Sequence, residues 1–163
     1  MAVLRWLTFG ILAVVVLAAG VAVLARFSGG PIGPFPGGRL SGTPVSGPVG
    51  DWTPILSGVP RIEIQVNADH PRSVTTGYLV HDGKLYVPSM MAARKRWPEE
   101  AMNDDRVVVR IGGKLYERRA VRVTEPAEIR PLVRAWDASA PDDMDVSALS
   151  TWYFRMDPPR SPP

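Results

Sequence analysis

The chain has 163 residues, 45% of them hydrophobic and 21% charged, which is enough for one modest core and one folded domain. Its formal charge is +3 with both signs interspersed, so the dense basic face of a nucleic-acid binder is missing and no nucleic acid is expected as a partner. Cysteine is absent, which removes disulfides, thiolate metal sites and cysteine nucleophiles together.

Residues 1–27 read as an N-terminal transmembrane anchor. "WLTFGILAVVVLAAGVAVLA", Trp6 to Ala25, is an unbroken apolar run of the length a helix needs to cross a bilayer. Arg5 and Arg26 bracket it, and Trp6 suits the headgroup level. A cleaved signal peptide usually has a shorter apolar region and ends at a small-x-small site, which "VAVLARFSGG" does not offer. The expectation is a single-pass protein of the cell inner or plasma membrane, with the lipid bilayer as partner of residues 6–25. Lys and Arg are balanced on the two flanks. An N-terminus-in orientation places the domain outside the cytoplasm.

Residues 28–60 form a Gly- and Pro-rich linker, too densely punctuated for a long helix. Ser28 to Gly38 reads as a spacer holding the domain off the bilayer. Between Arg39 and Leu56, "RLSGTPV" and "DWTPIL" suggest an edge strand that covers a barrel.

Residues 61–156 carry the pattern of a small antiparallel barrel. "RIEIQV" alternates Ile62, Ile64 and Val66 with Arg61, Glu63 and Gln65, the period of a half-buried strand. "SVTTGYLV" follows a turn-rich joint as a second strand. Asp82-Gly83 then supplies a type I′ hairpin signal, and "KLYVPS" returns as the partner strand. "RVVVRI", a Gly112-Gly113 turn and "KLYERRAVRVTE" make a second hairpin, so the repeated "GKLY" marks two hairpin exits. "PAEIRPLVRAWDAS" has helical spacing at Ile129, Leu132, Val133 and Trp136, with Pro131 expected to break it near its first turn. "LSTWYFRMDPP" closes the domain with an aromatic strand, Trp152 to Met156, before a Pro-rich tail at 157–163. The fold class is mainly β: one split β-barrel, Greek-key-like, with one or two short helices behind one transmembrane helix.

The chemistry-bearing candidates are few. His70 and His81 fall beside turns and read as exposed loop residues. Asp142, Asp143 and Asp145 lack the glycine and distal glutamate of a calcium loop and read as a solvated turn, so no metal is expected. Ser89 has no nucleophile elbow around it. The segment between the two hairpins differs: Arg94, Lys95 and Arg96 stand side by side before Trp97, Glu99 and Glu100. If a helix opens there, its cations oppose the helix dipole. Glu99 and Glu100 compensate in one reading, and a bound phosphate in another.

"SVTTGYLVHDGKLYVPS" followed by "ARKRWPEEAMNDDRVVVRIGGKLYERRAVRV" resembles the split β-barrel flavin-binding superfamily, the pyridoxamine 5′-phosphate oxidase-like proteins, and most closely its deazaflavin-dependent nitroreductase branch. The resemblance spans about residues 60–125, with a possible last strand at 151–156. It implies FMN or the deazaflavin F420 at the interface of a homodimer, and a small-molecule redox substrate. Carried over, Ser89, Lys95 and Arg96 hold the phosphate, Thr75 and Thr76 face the ring or ribityl chain, and Trp97 flanks the pocket. The flavin would carry the redox chemistry without a protein acid–base triad. Two features depart from the branch: the hairpin "TTGYLVHDGK" replaces a "TxGRxSGxxR" strand pair, and "NDD" stands where "NP" is expected. The readings that follow are a membrane-anchored oxidoreductase, a tethered split-barrel interaction or scaffold module without cofactor, and a haem-binding split barrel using His70 or His81. An open groove around Ser89 to Arg96 favours the first. A groove filled by Met90, Met91 or Trp97 favours the second.

Overall fold

The structure, a computed structural model, describes residues 2–141 and 143–160, with side chains from Trp6 onward. The Arg5 side chain, Asp142 and the tail residues 161–163 lie outside the described residues. Helix α1, Ala2–Ala25, carries the apolar run Trp6–Ala25, none of which is packed inside the protein until its last residue. One N-terminal helix is therefore long and apolar enough to span a membrane. Ala25 itself is fully buried, so the helix ends inside the domain surface.

The domain is one strongly bent sheet in the order β3-β2-β6-β7-β8-β5-β4, antiparallel throughout that path. The strands are β2 (Ile62–Val66), β3 (Arg72–Thr76), β4 (Leu79–His81), β5 (Lys84–Ser89), β6 (Arg106–Ile111), β7 (Lys114–Val123) and β8 (Trp152–Asp157). Strand β1, Thr43–Pro44, runs parallel to the start of β7. The ten residues of β7 serve two neighbours: the first half pairs with β6 and the second with β8, which bends the sheet into a half-barrel.

"SVTTGYLV" does not form one strand. It divides at Gly77-Tyr78 into β3, paired with β2 at one sheet edge, and β4, paired with β5 at the other. Tyr78 causes the break by leaving the ladder to donate its hydroxyl to the carbonyls of Leu56 and Val59. That crossing is the split of the barrel. Both hairpins form as their turn residues require. Asp82 and Gly83 have φ of 50° and 71°, Gly112 and Gly113 of 54° and 78°, the left-handed values of a type I′ turn.

Alternation sorts the core. Ile62, Ile64, Leu85, Val87, Val107, Val109, Tyr116, Ala120, Phe154 and Met156 fill the concave side. Helix α3, Arg96–Asn103, covers that core with Trp97 and Ala101. From "DWTPIL" comes no strand but a single helical turn, α2 (Thr53–Leu56), which brings Trp52 and Leu56 into the same core. Trp52 meets Tyr116 edge-on at 5.2 Å, and its amide donates to the Gly83 carbonyl. Helix α4, Pro126–Trp136, is continuous through Pro131, correcting the expected break near its first turn. Pro126 opens it at a position where no amide partner is needed, and Pro131 removes one ladder bond only. Its Ile129 and Leu132 pack on Tyr86, Val123 and Tyr153, on the convex side of the sheet.

The segment Ser28 to Gly38 is not a free spacer. Gly37 exchanges two backbone hydrogen bonds with Ser73 of β3, and the Leu40 amide donates to Gln65 Oε1 at 2.7 Å. Arg110 donates to the carbonyls of Gly29 (2.7 Å) and Ser41 (2.9 Å) while ion-paired to Glu63. The chain leaving α1 is thus laid along the convex side of β2, β3 and β6, and the domain stands directly on the end of its helix.

Candidate functional site

Strand β5 points Leu85, Val87 and Ser89 inward, and Ser89 ends it opposite Trp152 of β8. Its side chain is fully buried, and among the described residues Oγ has no hydrogen-bond partner. A short 3₁₀ turn, Ala92–Arg94, follows, entered through Met91 at φ 50°. Lys95 occupies the N-cap position of α3, whose first residue is Arg96. Arg94, Lys95 and Arg96 are all exposed, as are Met90 and Met91. Arg96 reaches Glu100 one turn on at 4.0 Å. Glu99 and Glu100 thus sit where they offset the cations at this helix start.

Trp97 turns the other way. It is 5% exposed and lies 5.2 Å from the Phe154 ring, inside the barrel core. Thr75 and Thr76 occupy opposite faces of β3. Thr76 pairs with Ile62 on the concave side, whereas Thr75 pairs with Glu63 on the convex side, near Phe35. A strand's period of two turns the two side chains to opposite faces. Of the six residues implicated by resemblance, the structure brings Ser89, Lys95, Arg96 and Trp97 together along nine residues of chain, but buries two and exposes two. The two threonines stand apart from them on β3.

Two other places were missed by sequence reasoning. The first is a groove between residues 39–47, the β6–β7 sheet and the tail, in two adjoining lobes of about 390 and 500 Å3. Arg118 lines both, is 6% exposed, and stacks 4.9 Å over Trp52. Its Nη1 donates to the Glu117 carbonyl at 2.6 Å, and among the described residues it has no carboxylate partner. Burial pushes its pKa down, while Tyr116 works to raise it. The signal was in "YERRA": strict alternation between Tyr116 and Ala120 turns Arg118 inward.

The second is a crevice of about 570 Å3 where α1 meets the domain, walled by Arg26, Phe27, Arg39, His70, Arg72 and Arg96. No spacing in the sequence announces it, because its walls come from four separate segments. His81 lies elsewhere, 3.5 Å from Asp82 at the hairpin tip. Among the described residues no three His, Asp or Glu side chains gather to hold a metal.

No protein-family model matches the chain, and no curated protein matches it by sequence. Among solved structures it is similar to a Listeria innocua protein named for pyridoxamine 5′-phosphate oxidase, at 19% identity and TM-score 0.52, over 66% of this chain and 90% of that one. Similar too are general stress protein 26 of Bacillus anthracis (16%, 65% and 84%, TM-score 0.48) and an FAD-binding protein of Mesorhizobium loti (19%, 66% and 87%, TM-score 0.46). The first carries the assignment, which is one of fold: the chain has the split β-barrel architecture of the pyridoxamine 5′-phosphate oxidase-like proteins.

Proposed function

We propose that this chain is a single-pass membrane protein whose split barrel serves as a tethered binding module, with no flavin held at Ser89 to Trp97. The observation that carries this reading is the Trp97 indole, packed into the core on Phe154, whereas the resemblance has it flanking a cofactor pocket. Coverage of the sheet supports it further. The chain from α1 occupies the convex side of β2, β3 and β6, α4 occupies that of β5 and β8, and α3 and Trp52 both enter the core. The apolar helix, exposed along its length, supports the anchor.

A second reading is favoured by the Ser89 hydroxyl, which is buried without a hydrogen-bond partner among the described residues. In it, two protomers hold FMN or F420 between them, with Ser89 and the exposed Lys95 and Arg96 toward the phosphate, as an oxidoreductase acting on a small molecule. The flavin would supply the electron transfer, and the protein its position and electrostatics.

A visible spectrum of the detergent-purified full chain, before and after adding FMN, F420 or haem, decides between them. The tethered-module reading expects a colourless protein that takes up none. Stoichiometric absorbance at ~450 nm for a flavin or ~420 nm for a deazaflavin would overturn it in favour of the dimeric flavoprotein.

A further inference from the structure

The crevice at the foot of α1 has a position that few surface crevices have. Trp6–Ala25 spans roughly 30 Å as a helix, the thickness of a bilayer's hydrocarbon core. Arg26 and Phe27 follow at once, so they stand at headgroup depth. Ser28 then turns the chain by donating its hydroxyl to the Ala25 carbonyl at 3.0 Å. The bonds of Arg110 to Gly29 and Ser41, and of Gly37 to Ser73, fix that turn against the sheet. The crevice walls are held at the same depth as a result.

Their chemistry suits an anion on an apolar stem. Arg26, Arg39, Arg72 and Arg96 line the crevice against two carboxylates, Asp69 and Glu100. Glu100 is shared by Arg72 at 3.9 Å and Arg96 at 4.0 Å, and among the described residues the buried Arg72 Nε has no hydrogen-bond acceptor. Among the described residues Arg26 and Arg39 have no acidic partner. Phe27 is 84% exposed beside them, an aromatic ring in water unless lipid covers it.

We propose that this crevice binds the phosphate diester headgroup of an anionic phospholipid, through Arg26, Arg39 and Arg96, with Phe27 against the acyl boundary. The proposal rests on the membrane-anchored reading above. A zwitterionic lipid brings its own cation to a crevice already rich in arginine, so selection runs toward net negative headgroups. Each juxtamembrane cation contributes about 1 kcal/mol at an anionic surface, a factor of about five, so two arginines together are worth at least tenfold. This gives Arg96 a role at the membrane that needs no flavin.

The test uses the full chain and two readouts. Flotation on phosphatidylcholine vesicles after alkaline carbonate washing examines the anchor alone. Native mass spectrometry of delipidated protein in detergent, titrated with phosphatidylglycerol or phosphatidylcholine, examines the crevice. Phosphatidylglycerol should bind on the order of tenfold more tightly than phosphatidylcholine, and Arg39→Gln with Arg96→Gln should remove that preference. Both arginines are exposed, so the variant should keep the parent's melting temperature, and Arg39→Lys with Arg96→Lys should restore much of the preference. Equal binding of the two lipids, or an unchanged preference in the Gln variant, overturns the headgroup site while flotation stands. Displacement of phosphatidylglycerol by millimolar glycerol phosphate assigns the site to a soluble phosphate and overturns the lipid proposal. Loss of flotation sinks the anchor, and the proposal with it.

Discussion

The two covered regions of the convex surface are held by different physics. Over β5 and β8, helix α4 buries an apolar stripe, with Ile129 and Leu132 on Tyr86, Val123 and Tyr153. Over β2, β3 and β6, the chain leaving α1 buries Leu40 and half-buries Phe35 but presents no apolar stripe, and polar ties from Arg110, Gln65 and Ser73 hold it. Glycine is what lets it lie so close. A Cβ on Gly37 would stand 2.2 Å from the Gly30 carbonyl carbon, and one on Gly30 would meet the Arg110 guanidinium at 2.3 Å. A helix docks by excluding water, whereas an extended polar segment docks only where each hydrogen bond is made.

Breaking the apolar side should cost most. Leu132 is fully buried, and Leu132→Ala is expected to lose about 3 kcal/mol of unfolding free energy. Urea unfolding of the full chain in detergent measures it. A loss below about 1 kcal/mol would mean that α4 docks more loosely than its burial implies.

Breaking the polar side should cost less overall and more locally. Arg110→Met leaves the half-buried Glu63 unpaired and releases the carbonyls of Gly29, partly buried, and Ser41, exposed, for about 2 kcal/mol. Because the loss concentrates in one segment, trypsin cleavage at Arg26 and Arg39 should accelerate on the order of tenfold while the barrel stays folded. Cleavage at the parent rate would show that the segment is held by something other than Arg110.

The same contrast explains what was legible in the sequence. The strands and α4 announced themselves because burial imposes a period: two in "RIEIQV" and "RVVVRI", and near four at Ile129, Leu132 and Val133. Both hairpins were legible because Asp82-Gly83 and Gly112-Gly113 meet a backbone demand for positive φ. Polar docking has no period. Nothing in "SGGPIGPFPGGRL" says that Arg110, some seventy residues on, will hold it, so a spacer was the natural expectation. Tyr78 ends a strand for the same kind of reason, since its hydroxyl partners, Leu56 and Val59, lie in another segment. At the candidate site, alternation separated Thr75 from Thr76 and could have been applied to them beforehand. Trp97 could not be read so simply: an indole after three cations suits a pocket wall as well as a core, and its helical face, shared with Ala101, decided the matter.

The smallest expected effect concerns the polar rim of the α4 side. Glu128 accepts from the Tyr86 hydroxyl at 2.9 Å and from Arg155 at 2.7 Å, while Arg155 also grips Asp157. Burial works to raise the Glu128 pKa, but the bonds from Arg155 and Tyr86 together outweigh it and hold the carboxyl below its ordinary value. Burial, then the Glu128 carboxylate, pushes the Tyr86 phenol up to about 12. The signs follow from linkage. The Glu128 contribution is present above the ordinary glutamate value and disappears as pH falls through the depressed one. The Tyr86 contribution is complete below its ordinary value of 10.0 and fades as pH rises toward 12. Glu128→Gln keeps an acceptor for Tyr86 but removes the charge, so about 1 kcal/mol should be lost at neutral pH. Its acid limb should flatten, and its alkaline limb should begin at lower loss because the phenol no longer faces a carboxylate. Melting curves of parent and variant from pH 3 to 11 measure both limbs. Parallel profiles would show that α4 is held by its apolar stripe alone, which would make the contrast with the arginine-tied segment sharper still.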